Sequence, residues 1–222
     1  MLRKKAFCLL MTVSAFFGLM ACHAQRPAES AAHEQQDSSA SLGTSIHLKR
    51  IAEFNEPWAL AVLPDGRLLI TERSGQLILF NPIDQTKTLI RNIPKVAYGG
   101  QGGLGDIVLH PEFAQNHQIY LSYAEAGQGG YGAVVIRADL NLDQAQPQLD
   151  NLKMIWKQAP KVRGQGHYAH RMLFDGAGKL WISSGERQKF DPAQDLTSNL
   201  GKMIRLNDDG SVALDNPFQT QG

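Results

Sequence analysis

Residues 67–80 read Arg67-Leu68-Leu69-Ile70-Thr71-Glu72-Arg73-Ser74-Gly75-Gln76-Leu77-Ile78-Leu79-Phe80. Two short apolar runs flank Ser74-Gly75, a dipeptide that signals a hairpin turn. Neither run alternates apolar with polar: Leu68-Leu69-Ile70 and Leu77-Ile78-Leu79-Phe80 are continuously apolar. A strand carries such a run when both of its faces are covered. The segment therefore predicts short strands packed between layers.

Further runs of this kind lie at 119–123, 133–137, 180–183 and 203–206, and no stretch offers a long amphipathic helix. The hairpin also belongs to a weak internal repeat. Pro57-Trp58-Ala59-Leu60-Ala61-Val62-Leu63-Pro64-Asp65-Gly66 leads into the first run. Gly103-Leu104-Gly105-Asp106-Ile107-Val108-Leu109-His110-Pro111 leads into the run at 119, and Arg171-Met172-Leu173-Phe174-Asp175-Gly176 into the run at 180. Each copy is a strand, a Pro or Gly turn and a second strand. Units of this size suggest propeller blades, whose stacking explains the two-sided burial. A generic antiparallel sandwich would also show hairpins.

Composition narrows the function. The chain has 222 residues, with 22 Lys+Arg against 21 Asp+Glu for a formal net charge of +1. It offers no basic field to a polyanion, so no nucleic-acid partner is expected. Hydrophobic residues make up 43%, enough for a core and too many for a wholly disordered chain. The two cysteines, Cys8 and Cys22, sit near the N-terminus. That excludes a disulfide scaffold and a Cys-based zinc site in the body.

Residues 1–22 read as an export signal peptide. Arg3, Lys4 and Lys5 precede an apolar stretch over 6–20 that is short for a bilayer span. It ends in Leu19-Met20-Ala21-Cys22, which resembles a bacterial lipobox and makes Cys22 the lipidation site; an ordinary secretory signal with an incidental Cys is the other reading. Residues 23–45 are rich in Ala, Ser, Gln and His and read as a flexible polar linker. The folded body is expected over 46–222. The expected location is the periplasmic face of the outer membrane, held by a lipid anchor, or the soluble periplasm.

An ordered series of motifs then carries a family resemblance. Glu56-Pro57-Trp58-Ala59-Leu60, Thr71-Glu72-Arg73-Ser74-Gly75, Gly100-Gln101-Gly102-Gly103-Leu104, His110-Pro111-Glu112-Phe113 and His167-Tyr168-Ala169-His170-Arg171-Met172-Leu173-Phe174-Asp175 come in that order. Gly185-Glu186, Gly201-Lys202-Met203-Ile204-Arg205-Leu206-Asn207, Asp209-Gly210 and Asp215-Asn216-Pro217-Phe218 complete it. The series resembles the soluble aldose and glucose (glucose/sorbosone) dehydrogenases that use pyrroloquinoline quinone (PQQ). The resemblance implies an all-β fold, a six-bladed β-propeller of which this chain holds the N-terminal blades. It implies PQQ and Ca2+ as cofactors. It also implies oxidation of an aldose at its anomeric carbon to the lactone, with hydride passing to the quinone and on to an electron acceptor of unknown identity. Members continue into an Arg-Asn-Pro-Gln-Gly motif, acidic calcium ligands and an Asn-Tyr-Gly-Trp-Pro segment, none of which occurs here. Cofactor-binding residues are therefore expected beyond Gly222, with no metal ligands in this chain, which reads as the first half of such an enzyme and inactive alone. Two other readings stand beside it: a non-catalytic propeller module that binds carbohydrate or protein, and a lactonase-type propeller hydrolase.

By resemblance His167 is the catalytic base, and a neutral imidazole suits removal of a hydroxyl proton near neutral pH. Read without the resemblance, His167 in Gly164-Gln165-Gly166-His167 is a loop histidine with no chemistry. Gln101 matches a substrate-contacting Gln whose amide suits a sugar hydroxyl; a tight glycine turn with an exposed Gln is the plainer reading. Glu186 and Arg187 fall where relatives carry site-lining polar residues, and Arg187 is expected to contact substrate or to lie in a solvated charged loop. Arg171 is expected to support the site. His170 is assigned no role, and its replacement is expected to change little. His167 and His170 lack the third partner that a metal site needs. Residues 100–105 lead into a strand where a dinucleotide site needs a helix N-terminus, so nicotinamide cofactors are not expected.

Overall fold

The computed structural model describes residues 48–218; the leader, Cys22 and the linker lie outside the described residues. Three antiparallel meanders follow one another along the chain. The first runs β1 (Pro57–Val62), β2 (Leu68–Glu72), β3 (Gln76–Phe80) and β4 (Lys87–Ile90). The second runs β5 (Leu104–Leu109), β6 (Gln118–Gly127), β7 (Gly130–Asn141) and β8 (Gln148–Lys157). The third runs β9 (Ala169–Phe174), β10 (Leu180–Ser184) and β11 (Lys202–Leu206). One helical turn, α1 (Phe113–Asn116), links β5 to β6.

The quoted hairpin falls on β2 and β3, paired from Leu68↔Phe80 to Glu72↔Gln76. Its continuous apolar runs have the cause the sequence suggests. Successive side chains of a strand point to opposite faces, and here each face meets a layer. The second sheet shows this best. Ile119, Leu121, Val134 and Ile136 join Leu69, Leu77 and Leu79 of the first sheet in one core. Tyr120 and Val135, the residues between, join Met172, Leu180 and Ile182 of the third sheet in another. The second sheet is thus sandwiched between its neighbours, the packing of successive propeller blades. Strands β4 and β8 were not visible as apolar runs because both are edge strands of their sheets; β8 leaves five of its ten residues exposed.

The first strand of each meander lies beside the first strand of the next, β1 by β5 and β5 by β9. Buried polar groups join the neighbouring meanders. Thr71 Oγ1 donates to Gly105 O at 2.7 Å, and the Met172 N–H donates to Asp106 Oδ2 at 2.7 Å. Burial pushes the Asp106 carboxyl up, while the Met172 N–H and the Arg171 guanidinium oppose that shift. Such cross-sheet bonds leave few buried donors and acceptors unmade, which would otherwise cost about 1–3 kcal/mol each.

His170 belongs to this set, which corrects the expectation that it is dispensable. Its ring is 2% exposed, lies 2.8 Å from Ser122 Oγ and stacks on Trp58 at 5.1 Å between centroids. A Cβ on Gly105 would sit 1.9 Å from its Cε1, so the neighbouring strand needs glycine there. Burial holds the imidazole pKa down to about 4. The unfolded chain takes that proton near pH 6.5, so stability is lost as pH falls from about 6.5 toward 4, by about 1.4 kcal/mol per unit at most. We expect the denaturation midpoint to fall across this window, and to fall less steeply in His170→Gln. Equal slopes in the two proteins would assign the acid sensitivity elsewhere.

Candidate active site

Two loops bring the candidate residues together. Residues 99–103 precede β5, and residues 164–168 precede β9. The Gln101 N–H donates to Gln165 O at 2.7 Å, and the His167 N–H donates to Gln101 Oε1 at 2.7 Å. Gln101 is therefore beside His167, and its acceptor oxygen is used to hold the histidine's backbone. Its Nε2 has no hydrogen-bond partner among the described residues and remains to donate outward.

The conformation at His167 is costly. His167, Ala169 and His170 have φ of 47°, 59° and 50°, and left-handed backbone at non-glycine residues is sparsely populated and clusters at functional sites. The register of β9 against β10 shifts between Ile182 and Ser184, which re-aims the strand end. The returning loop from β10 passes directly under the histidine. A Cβ on Gly185 would lie 1.9 Å from His167 O, so only glycine admits that approach.

That approach delivers Glu186, whose Oε1 is 2.5 Å from His167 Nδ1. Its other oxygen accepts the N–H of Lys189 at 2.6 Å and of Phe190 at 2.9 Å. The Phe190 N–H first, and the His167 ring second, hold the Glu186 carboxyl down to about 2. Glu186 is thus an ionised acceptor at any working pH. With Nδ1–H donating to a carboxylate, the lone pair of the neutral ring sits on Nε2. The His167 side chain is 50% exposed, so that nitrogen can reach solvent or a ligand. The pair has the logic of a base whose tautomer and developing charge are fixed by a carboxylate.

The sequence names Glu186, by resemblance, as a site-lining polar residue with no stated partner. The hairpin register gives its role: Ser184 pairs with Ala169, and continuing that pairing two residues outward sets 186 against 167.

Arg187 requires a correction. It is 1% exposed, neither in a solvated loop nor turned to a substrate. Nε donates to Gly166 O at 2.7 Å, Nη1 to Tyr131 O at 2.7 Å, and Nη2 to Gly164 O at 2.6 Å. The guanidinium also lies 3.6 Å from the centroid of the Tyr168 ring. Its donors are used inside the protein, on two carbonyls of the loop that carries His167 and on one of β7. Arg171 lies over Trp58 and 3.4 Å from Asp106, between neighbouring strands, a supporting position.

Fold and site together describe a β-propeller with a carboxylate-backed histidine at the entrance to its inner strands. The model of the Glucose / Sorbosone dehydrogenase family matches residues 54–222, and the chain belongs to that family. It is similar to the aldose sugar dehydrogenase YliI of Escherichia coli K12, at 38% identity over 167 residues, covering 75% of this chain and 45% of the relative. Among solved structures it resembles the apo form of the soluble aldose sugar dehydrogenase of E. coli, with a TM-score of 0.72 and 39% identity over 76% of this chain and 48% of that one. The PQQ-bound aldose sugar dehydrogenase of Streptomyces coelicolor gives a TM-score of 0.70 and 29% identity, over 78% and 51% respectively. The chain spans about half the length of the relatives it matches.

The residues in hand were tested for a cofactor cradle. PQQ carries three carboxylates and calls for cationic or donor-rich partners. The described site instead presents a carboxylate, Glu186, beside His167 and keeps the Arg187 donors inside. No group of three or more His, Cys, Asp or Glu that could hold a metal ion occurs among the described residues. These residues do not fit a PQQ or Ca2+ site by themselves.

Proposed function

We propose that this chain provides the base-bearing part of a PQQ-dependent dehydrogenase that oxidises an aldose at its anomeric carbon to the lactone. The observation that carries this reading is the 2.5 Å pairing of His167 with Glu186 beside Gln101, in a chain similar to sugar dehydrogenases. PQQ, with Ca2+ beside it, would supply the two-electron acceptor when bound. The chain's own residues handle the proton. His167 Nε2 accepts it from the anomeric hydroxyl, and Glu186 stabilises the imidazolium that results. The Gln101 amide N–H donates to a sugar oxygen and fixes which hydroxyl faces the base.

The test uses the assembled enzyme, meaning this chain together with the remaining portion that its relatives carry. Given PQQ, Ca2+ and an aldose, it should reduce an electron-accepting dye. Opening of a lactone without dye reduction would favour the hydrolase, and binding of sugar without either reaction would favour a binding module. Gln101→Ala should raise KM for sugar about tenfold. It should also lower kcat severalfold, because the His167 N–H loses its acceptor. An unchanged KM would remove Gln101 from substrate contact.

We further propose that the protein is exported and anchored through a lipid on Cys22. Cys22→Ala should leave the protein unprocessed or recoverable from the periplasm without detergent. Detergent-free recovery of the unaltered protein would refute the anchor.

A further inference from the structure

The two outer faces of the stack of sheets are apolar and open. Alternate residues of a strand face opposite ways. In β1, Ala59 and Ala61 pack toward the second sheet, while Leu60 and Val62 are more than half exposed. In the third sheet, Met172, Leu180 and Ile182 pack on the second sheet. Leu173, paired with Trp181, and Met203, paired with Ser183, lie on the other face, and both Leu173 and Met203 are more than half exposed. A groove of about 590 Å³ lies there, lined by Trp181, Met203, Val212 and Phe218 among others. The second sheet, covered on both sides, exposes large apolar side chains only from its edge strand β8. Open apolar faces of this kind mark association surfaces.

We infer that the open face of the third sheet receives the first sheet of a second copy, and that two copies close one ring about a two-fold axis. The inference rests on the fold and not on the sugar-oxidising reading. Three meanders in a chain that spans about half the length of its relatives amount to half a ring. Half a turn is the rotation that relates the members of a two-fold dimer. The contact that results is one the chain already makes. Inside the chain, the second-sheet face with Tyr120 and Val135 meets the third-sheet face with Met172 and Ile182. Moved one sheet onward, the same contact sets the open face of the third sheet against the face of a first sheet that carries Leu60 and Val62. It occurs twice in the dimer, so neither open face is left over. The strand count agrees. The first and second sheets have four strands each, and the third has three, with β11 at its edge. Residues 48–55 reach across the open face of the first sheet. Phe54 meets Phe80 edge-on at 5.4 Å between centroids, the Lys87 ammonium donates to Glu53 O, and the Asn55 N–H donates to Glu72 Oε1 at 2.6 Å. In the dimer this segment runs beside β11 of the other copy and supplies its fourth strand.

The full chain, purified in mild detergent, is weighed by native mass spectrometry over a dilution series. Twice the chain mass is expected. A single chain at every concentration, or only species larger than two, overturns the inference. Met203→Glu and Val62→Glu each place a charge in both contacts. A buried apolar anchor lost costs about thirtyfold per contact, so each variant should raise the dimer Kd about a thousandfold. Both positions are exposed in the single chain, so each variant should keep its strand content by circular dichroism. An equimolar mixture of the two should dimerise more tightly than either alone, because one contact of the mixed pair carries neither change. A dimer made through one face meeting its own copy would respond to only one of the variants, and that result overturns the inference. Amide hydrogen exchange in the unaltered protein is a second measurement. The β11 amides should exchange more slowly in the dimer than after dilution to single chains, and equal exchange overturns the inference. A chain that binds the separately made remaining portion of its relatives and never a second copy also overturns it, and leaves the dehydrogenase reading standing.

Discussion

Replacing His167 by Asn should slow reduction of bound PQQ by sugar in a single turnover by ~10²–10⁴, the usual cost of removing a general base. The assay is made in the assembled enzyme, with cofactor loading measured separately. Asn keeps a polar side chain in the loop and the N–H that donates to Gln101 Oε1, so the fold around the site should survive. It has no lone-pair nitrogen that can take a proton, so the hydroxyl proton must pass to water. PQQ binding should change little, because no described residue at the site supplies its anchors. Glu186→Gln separates the two parts of the pair. The amide has one acceptor oxygen, which can serve Nδ1–H or the N–H groups of Lys189 and Phe190 but not both, and it no longer stabilises an imidazolium; the base itself remains, so the loss should be smaller than that of His167→Asn. Since the Glu186 carboxyl lies at about 2, its contribution is present above that pH and lost only as pH falls through it. Titration of Glu186 therefore cannot shape a rate profile between pH 4 and 9. His167→Asn reducing PQQ at the unaltered rate would end the assignment of the base, whatever the family.

How far the sequence revealed this differs from one residue to the next. The hairpin at 67–80 was legible because apolar runs on doubly covered strands leave a signal that needs no partner to be read. Strand β8 was not, since edge strands carry polar residues and their pairing is decided by the neighbour. Gln101 and His167 were singled out only through the ordered motif series; nothing in Gly164-Gln165-Gly166-His167 alone selects a base. Glu186 was half legible. The turn after Asp175 sets the β9–β10 register, and that register points at Arg187; only the one-residue shift at the bulge brings Glu186 opposite His167. Arg187 was misread for a related reason. A charged residue after a strand is usually solvated, and whether a cation can be buried depends on carbonyls gathered from distant loops, here Gly164, Gly166 and Tyr131. Composition and spacing carry no trace of such a convergence.

The burial of Arg187 makes it the second sensitive position. Arg187→Ala removes three strong donors at once; Tyr131 O keeps the N–H of Val162, but the Gly164 and Gly166 carbonyls are left to find other partners. At about 1–3 kcal/mol for each buried group left unmet, the fold should lose on the order of 3 kcal/mol or more. That is a large share of the stability of a typical domain. Both of these carbonyls lie within three residues of His167, so the damage also reaches the base. A displacement of about 1 Å at a catalytic group can cost ~10² in rate. The variant should therefore show both a lowered denaturation midpoint and a turnover reduced about a hundredfold where folded. Arg187→Lys tests whether charge or geometry matters. A lysine ammonium is a point donor on a flexible stem and cannot span three carbonyls as the planar guanidinium does. It should rescue less than half of the loss in either quantity. Full rescue by Lys would mean that a buried positive charge suffices. Unchanged turnover in Arg187→Ala, with the protein folded, would show that the loop holds His167 in place without it.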